Sequence, residues 1–142
     1  MTILMAPGGF GKTVLLAECC RRARARSVTV AWVSLDEYDD PDTLVSYLAL
    51  ALAESGAQFE FEPPTGTPDS PRYRIDALLH WVGTIEADVV IALDDVDRLD
   101  PESVSLVDYL VWRGPANLRL ALAFRTRPRG LDIATPVVEG RG

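Results

Sequence analysis

The stretch APGGFGKTVLL, Ala6 to Leu16, restricts the fold of this chain more than any other part of its sequence. It follows a short apolar segment that predicts a strand, Thr2 to Met5. It leads into Thr13 to Arg26, which is rich in Leu, Ala, Glu and Arg and predicts a helix. Three glycines in the connection allow a tight turn whose backbone N–H groups point inward. The sequence therefore predicts a strand and a helix joined by a compact glycine-rich loop.

The loop matches the phosphate-binding pattern G-x-x-x-x-G-K-[ST], except that Ala6 replaces the first glycine. In such a loop the backbone N–H groups and the helix N-terminus hold nucleotide phosphates. Lys12 would contact the β- and γ-phosphates, and the Thr13 hydroxyl would bind Mg²⁺. The alternative is a plain turn between a strand and a helix. On the first interpretation, the nucleotide-binding residues are Ala6, Pro7, Gly8, Gly9, Phe10, Gly11, Lys12, Thr13 and Val14.

The choice of basic residues favours phosphate binding. The 142 residues contain 13 arginines and a single lysine, and that lysine is Lys12. A compact ammonium reaches between phosphates where a broad guanidinium does not fit in the same way. The net charge of −7, in contrast, argues against nucleic-acid binding by this chain itself.

Composition predicts one folded domain in the cytoplasm. Apolar residues make up 48% of the chain, which is enough for a core. No apolar run is long enough to span a membrane, and no basic region precedes the apolar N-terminus as in a secretory signal. Cys19 and Cys20 are adjacent in a predicted helix, so they fit core packing better than a metal site.

Apolar strands alternate with helices along the rest of the chain. Buried strands are predicted at Ser27 to Leu35, Asp88 to Asp95 and Leu118 to Phe124. Helices are predicted at Thr43 to Ser55, around Ile75 to Ile85, and from Asp100 to Gly114, with a proline-containing loop at Phe59 to Pro71. His80, Trp81 and Trp112 fall in helical apolar patterns, and we expect them to pack. The alternation predicts an α/β fold with a parallel sheet covered on both faces, whose ligands bind beyond the C-terminal strand ends.

Acidic residues end the predicted strand Asp88 to Asp95, which gives VVIALDDVD the form of a Walker B motif. Asp94 is the expected Mg²⁺ ligand, acting directly or through water. Asp95 is placed to orient or activate the attacking water. Asp97 and Asp100 fit the roles of a loop residue and a helix cap.

Two further side chains follow predicted strands. Arg125 could sense the γ-phosphate and stabilise charge in the transition state, with Arg127 as the second choice. The alternative is an exposed arginine before a proline turn. Asp36 could add an acid near the site, although a solvated loop would also place an aspartate there.

Together these segments resemble the nucleotide-binding domain of the signal-transduction ATPases with numerous domains (STAND). More narrowly, they are similar to the MalT-like, large ATP-binding LuxR-type transcriptional regulators. The matching segments, in order, are APGGFGKTVLLAE, VAWVSLDEYDDP, VVIALDDVDRL and LRLALAFRTRP. The loop and the acidic pair are shared by many P-loop ATPases, whereas AWVSLDE and FRTRP are narrower markers. An alanine at the first loop position is common in this family, so Ala6 fits the resemblance.

The resemblance implies that the chain binds ATP or ADP with Mg²⁺, with Thr13 and Asp94 at the metal and Asp95 and Arg125 in catalysis. It implies a sheet of order 5-1-4-3-2. It also implies that ATP favours an open, oligomerising state and that hydrolysis resets it. In this family, DNA is bound through a C-terminal helix-turn-helix, which is not in this sequence.

The chain departs from the family at both ends. The segment that would precede the loop and help to enclose the adenine is absent, and the sequence stops at PVVEGRG, where a fifth strand should begin. We therefore expect residues 1–142 to be a single P-loop nucleotide-binding domain that is truncated at both ends and lacks the fifth strand.

The expected function is that of the regulatory core of a STAND/LuxR-type transcriptional regulator, in which the nucleotide state acts as a conformational switch and ATP is hydrolysed weakly. One alternative is a nucleotide-gated binding module without hydrolysis. The other is an AAA+-like P-loop ATPase, but that class normally carries Asp-Glu in Walker B, where this chain has Asp94 and Asp95.

Overall fold

The fold is that of a computed structural model, which describes residues 3–6, 12–35, 40–55, 70–124, 129, 131 and 137–139. Strands and helices alternate as predicted. In chain order they are β1 (Ile3–Ala6), α1 (Lys12–Ala25), β2 (Thr29–Ser34), α2 (Pro41–Glu54), α3 (Pro71–Thr84), β3 (Val89–Asp94), α4 (Pro101–Arg113), β4 (Leu118–Ala123) and β5 (Val137–Glu139). These four helices of the described residues have 13 or 14 residues each, whereas a helix needs about 20 to cross a membrane.

The described strands form one parallel sheet of order β2-β3-β4-β1-β5, which confirms the predicted order. The prediction that the fifth strand is missing is wrong. β5 pairs with β1, so that Ile3 lies opposite Val137 and Met5 lies opposite Glu139. Three residues are enough because β1 offers a free row of backbone donors and acceptors, and because valine suits a pleated strand.

Three of the helices begin with a capping side chain followed by proline. The caps Asp40, Ser70 and Asp100 accept hydrogen bonds from the backbone N–H groups of Thr43, Tyr73 and Ser103 at 2.7, 3.2 and 2.8 Å. Proline at the first helical position has a suitable fixed φ and no N–H to satisfy. The Thr43 N–H lowers the pKa of Asp40, because the bond favours the charged carboxylate. The predicted start at Asp100 is confirmed, whereas Pro71, predicted as a loop residue, begins α3.

The helices divide between the two faces of the sheet. Buried side chains of α2, α3 and α4, such as Leu48, Leu78 and Leu110, form the large core on one face. On the other face, α1 packs over a small core of Leu16, Cys20, Val30, Ala92, Ala121 and Ala123. The alanines leave room for α1 to approach the strands closely. This close approach holds the start of α1 against the central strands.

Core packing is confirmed for part of the predicted set. Cys20 is buried, and Cys19 is half-buried, with both thiols free. Trp81 packs partly buried against the large core. The prediction is wrong for His80 and Trp112, which are exposed. Both residues lie outside the buried stripe of their helices, so solvent and not the sheet faces them.

Candidate functional site

The described site residues meet at the C-terminal edge of the sheet. Ala6 ends β1 and lies opposite Ala123 of β4. Leu93 of β3 lies opposite Leu122 of β4, so the next residue, Asp94, reaches the level of Ala123. One row across three neighbouring strands therefore joins the end of β1 to Asp94. Two strand spacings separate their backbones, which is roughly 10 Å.

Asp94 is a buried acid on the face of the sheet that α1 covers. Its side chain is only 4% exposed. Alternate residues of a strand share a face, so Asp94 lies on the same side as Ala92, which belongs to the small core under α1. Its Oδ1 accepts a hydrogen bond from the Asp95 N–H at 3.0 Å. The carboxyl group therefore lies at the edge of the sheet where α1 begins, with Lys12 as the first residue of that helix.

Asp95 has a different local structure from its neighbour. Its backbone is left-handed, with φ of 61° and ψ of 42°, a conformation that few residues other than glycine, asparagine and aspartate adopt readily. Its carbonyl oxygen accepts a hydrogen bond from the Arg98 N–H at 3.0 Å, which closes a short 3₁₀ turn over Val96–Arg98. The chain thus turns sharply at Asp95, so this residue leaves the line of the strand that ends with Asp94.

The carboxylate oxygens of Asp94 are suitable ligands for Mg²⁺. This ion prefers oxygen ligands and is usually held by one or two carboxylates, phosphate oxygens and several waters. Within the described ranges, no group of three or more His, Cys, Asp and Glu side chains is placed to hold a metal ion. A magnesium site here would accordingly depend on a bound phosphate and on the Thr13 hydroxyl as well as on Asp94.

The other predicted site residues divide into two groups. Lys12, Thr13 and Val14 form the first turn of α1, and the Val14 side chain is 73% exposed. Residues 7–11 of the loop lie outside the described residues, and so do Asp36, Arg125 and Arg127. Phe124, which directly precedes Arg125, is buried at the end of β4.

Asp97 is more buried than its predicted role as a loop residue suggests. It lies in the 3₁₀ turn, and its Oδ1 is buried without a hydrogen-bond partner among the described residues. The sequence contains no signal for this burial, because an aspartate shortly after a strand is ordinary in loops. Asp97 thus adds a third acid close to Asp94 and Asp95 in the chain.

A cavity of about 530 Å³ lies between the starts of α2, α3 and α4. Pro41, Pro71 and Pro101 line it together with Arg72, Glu102 and Leu106. The described residues that line it come from the starts of these three helices, and Asp94 is not among them.

Solved structures of Cdc6 and ORC proteins share this fold. Cdc6p from Pyrobaculum aerophilum matches 97% of the chain with a TM-score of 0.65 and 17% identity. The Aeropyrum pernix ORC1 protein in complex with DNA matches 88% with a TM-score of 0.60 and 20% identity. The Aeropyrum pernix ORC2 protein in its ADP form matches 87% with a TM-score of 0.55 and 15% identity. The fold is thus the P-loop NTPase fold found in Cdc6 and ORC proteins.

The likeness is one of fold and covers a part of each of those proteins. The chain spans 38%, 33% and 35% of the lengths of Cdc6p, ORC1 and ORC2 respectively. No protein-family model matches the chain, and no curated protein matches it in sequence.

Proposed function

We propose that this chain binds a nucleoside triphosphate with Mg²⁺ at the C-terminal edge of its sheet, between the end of β1, the start of α1 and the end of β3. The nucleotide-binding residues would be Ala6 to Val14, with Lys12 on the phosphates and Thr13 and Asp94 at the metal. That the base is adenine rests on the resemblance to STAND ATPases, because a phosphate loop does not read bases.

Asp94 is the observation that best supports this proposal. It combines a carboxyl group that is only 4% exposed with a position at the C-terminal end of β3. Asp94 lies at the sheet edge and on the sheet face where α1 begins with Lys12. A carboxylate in this position would be a ligand for a Mg²⁺ ion that a bound phosphate shares.

Weak hydrolysis is the second part of the proposal. Asp95 would orient the attacking water, and Arg125 would stabilise the charge that develops on the transferred phosphate. The turn after β3 supports separate roles for the two acids, since it takes Asp95 out of the strand that carries Asp94. A binding module without hydrolysis is the alternative.

In the wider role, residues 1–142 would be a single nucleotide-binding domain of a larger STAND/LuxR-type regulator. Its nucleotide state would act as the switch, and DNA would be bound by another domain. The second candidate is an AAA+-like P-loop ATPase, which the likeness to Cdc6p and ORC1 favours. The Asp-Asp pair of Walker B supports the first candidate over the second.

The test is calorimetric titration of a non-hydrolysable ATP analogue with Mg²⁺ into the chain and its Lys12→Ala variant. We expect the variant to lose nucleotide binding, because Lys12 is the only lysine in the chain. Arg21→Ala is the matched control: it removes a cation from the other end of α1, where Arg21 pairs with Glu18, and should bind as the parent does. Equal affinity of a folded Lys12→Ala variant would refute the assignment.

Phosphate release separates hydrolysis from binding alone. A Mg²⁺-dependent release that Asp95→Asn abolishes would support the ATPase. Binding without any release by the parent chain would support the gated binding module.

A further inference from the structure

The outer edge of β2 carries a row of backbone hydrogen-bonding groups that no other described strand meets. β2 ends the sheet, and within the described part of the chain no strand pairs with its outer side. The N–H groups of Thr29 and Leu35 donate towards β3, to Asp88 and Asp94 at 3.3 and 3.0 Å. Since strand residues alternate, the N–H and C=O groups of Val30, Trp32 and Ser34 point outward.

This edge lacks the features that usually protect an edge strand. Natural edges are short, charged, bulged or interrupted by proline. The opposite edge strand, β5, has only three residues and carries Glu139. β2 has six residues, TVAWVS, with neither charge nor proline, and it pairs with β3 in unbroken register. The two ends of the sheet therefore differ, and β2 is the end that can accept another strand.

Apolar side chains extend the edge into a docking surface. A groove of about 230 Å³ lies along it, lined by Trp32, Val33 and Ser34 of the strand and by Tyr47, Leu50, Ala51 and Glu54 of α2. Leu50 is 56% exposed and Tyr47 is 42% exposed. Together these two residues form an exposed apolar strip of α2 beside the outer edge of β2, which pairs with no other strand among the described residues.

The charges at the two ends of β2 are opposite. Near Thr29, the basic residues are Arg24 in the last turn of α1 and Arg26 just after that helix, and Glu54 at the end of α2 opposes them. Asp88 in the same region forms an ion pair with Arg119. α2 runs antiparallel to β2, since Tyr47 lines the groove with Ser34 whereas Glu54 also reaches Val30. The Ser34 end therefore lies towards the start of α2, where the charged side chains are Asp40, Asp42 and Arg74, which pairs with Asp42. The Thr29 end of β2 is therefore basic and the Ser34 end is acidic.

We propose that the outer edge of β2 is a dimerisation surface, on which a second copy of this chain adds its own β2 in antiparallel orientation. A two-fold axis at Trp32 would place the outward groups of Val30 opposite those of Ser34 in both halves. The same operation places the basic end of each copy on the acidic end of the other. A parallel arrangement would instead bring like charges together, so the charges select the antiparallel pair. This inference does not depend on the nucleotide site.

Sedimentation velocity of the whole chain, at concentrations up to about 200 µM, tests the proposal. Ser34→Pro removes an outward N–H and leaves the bonds to β3 in place. Leu50→Glu puts a charge into the groove. Trp112→Glu is the matched control, because Trp112 is also 56% exposed but lies on α4 and does not line the groove.

We expect the parent and Trp112→Glu to dimerise equally, and each edge variant to weaken dimerisation at least tenfold while its unfolding midpoint shows that it is folded. Higher salt should weaken the parent dimer as well. If Ser34→Pro does not fold, the dimerisation of the Leu50→Glu variant alone tests the proposal. A monomeric parent, or a dimer that folded edge variants leave unchanged, would overturn the proposal. So would a monomer that binds a TVAWVS peptide without self-association, since the occupant would then be a peptide.

Discussion

At the scale of single residues, Asp95 combines an unusual backbone with a proposed chemical role. In the described part of the chain, Asp95 and Ser27 are the residues other than glycine with positive φ. Such a conformation costs free energy, and it persists where the surrounding structure enforces it. At Asp95 the enforced turn follows directly on the acid proposed as a metal ligand, which is where strain of this kind is often found.

Replacing Asp95 can separate the backbone requirement from the carboxylate. We expect Asp95→Asn to fold normally and to bind nucleotide, because asparagine tolerates the left-handed region, but to lose phosphate release. Asp95→Ala should in addition lose about 1 kcal/mol of unfolding free energy, because alanine does not tolerate that region as well. Urea unfolding and a phosphate-release assay measure the two effects. Parental turnover by Asp95→Asn would show that Asp95 does not orient the water, and Asp36 would become the next candidate.

Ser27 shows the same conformation without any proposed function. With φ of 62° it follows the last turn of α1, where the Val28 N–H donates to Ala23 O and the Ser27 N–H donates to Arg24 O, both at 3.0 Å. This is the helix ending that glycine usually occupies. Ser27→Gly should therefore raise the unfolding free energy by about 0.5–1 kcal/mol in urea titrations.

A second serine at a helix end provides the control. Ser55 caps α2 with an ordinary φ of −71°, and its hydroxyl donates to Leu52 O. Ser55→Gly should lower the stability, because glycine there adds flexibility to the unfolded chain without relieving strain. If both glycine substitutions changed the stability in the same direction, φ would not be the cause.

At the scale of elements, Asn117 ties the end of α3 to the start of β4. Its side-chain N–H₂ group donates to the carbonyl oxygens of Val82, Ile85 and Ala87 at 2.9, 3.1 and 3.1 Å. The backbone carbonyl of Asn117 accepts the Val89 N–H at 2.9 Å. One side chain thus joins carbonyl groups at the end of α3 and in the connection to β3; of these, the Val82 carbonyl also accepts the Ile85 N–H at 3.1 Å.

Asn117→Ala should lower the unfolding free energy by about 1–3 kcal/mol, because it leaves these carbonyls without their donor. Asn117→Asp has nearly the same shape but places carboxylate oxygen against three carbonyl oxygens, and it should cost more than alanine at neutral pH. Urea unfolding of the two variants measures the difference. An aspartate variant as stable as the parent would mean that water replaces the donor and that the hydrogen bonds of the Asn117 side chain contribute little to stability.

Elements with a strong apolar pattern could be predicted from the sequence, and weakly patterned ones could not. The β-branched run that forms β2 and the apolar run that forms β3 identified strands of a parallel sheet, because both faces of such a sheet are buried. β5 has three residues, too few for a pattern, and its existence depends on the long-range edge of β1. The prediction that Trp112 packs in the core was wrong for another reason. Trp112 lies on the exposed side of α4, whose buried stripe includes Val107, Leu110 and Val111.

At the scale of the whole molecule, the sheet order brings together residues that are far apart in sequence. Ala6, Ala123 and Asp94 reach one level of the sheet because β4 lies between β1 and β3. Spacing in the sequence could predict that Asp94 follows a strand and that Lys12 opens a helix. The turn at Asp95 and the burial of the Asp97 Oδ1 could not be predicted, since they depend on how the chain leaves β3.

If Asp94 serves a magnesium-bound phosphate, as we propose, its charge is needed for Mg²⁺ to strengthen nucleotide binding. The affinity for a non-hydrolysable ATP analogue is measured with Mg²⁺ and with EDTA, for the parent and for Asp94→Asn. Asparagine keeps an acceptor for the Asp95 N–H and removes only the charge. We expect Mg²⁺ to tighten binding to the parent by roughly tenfold or more, about 1.4 kcal/mol, and to have no effect on the variant. Equal gains from Mg²⁺ in both folded proteins would contradict the account.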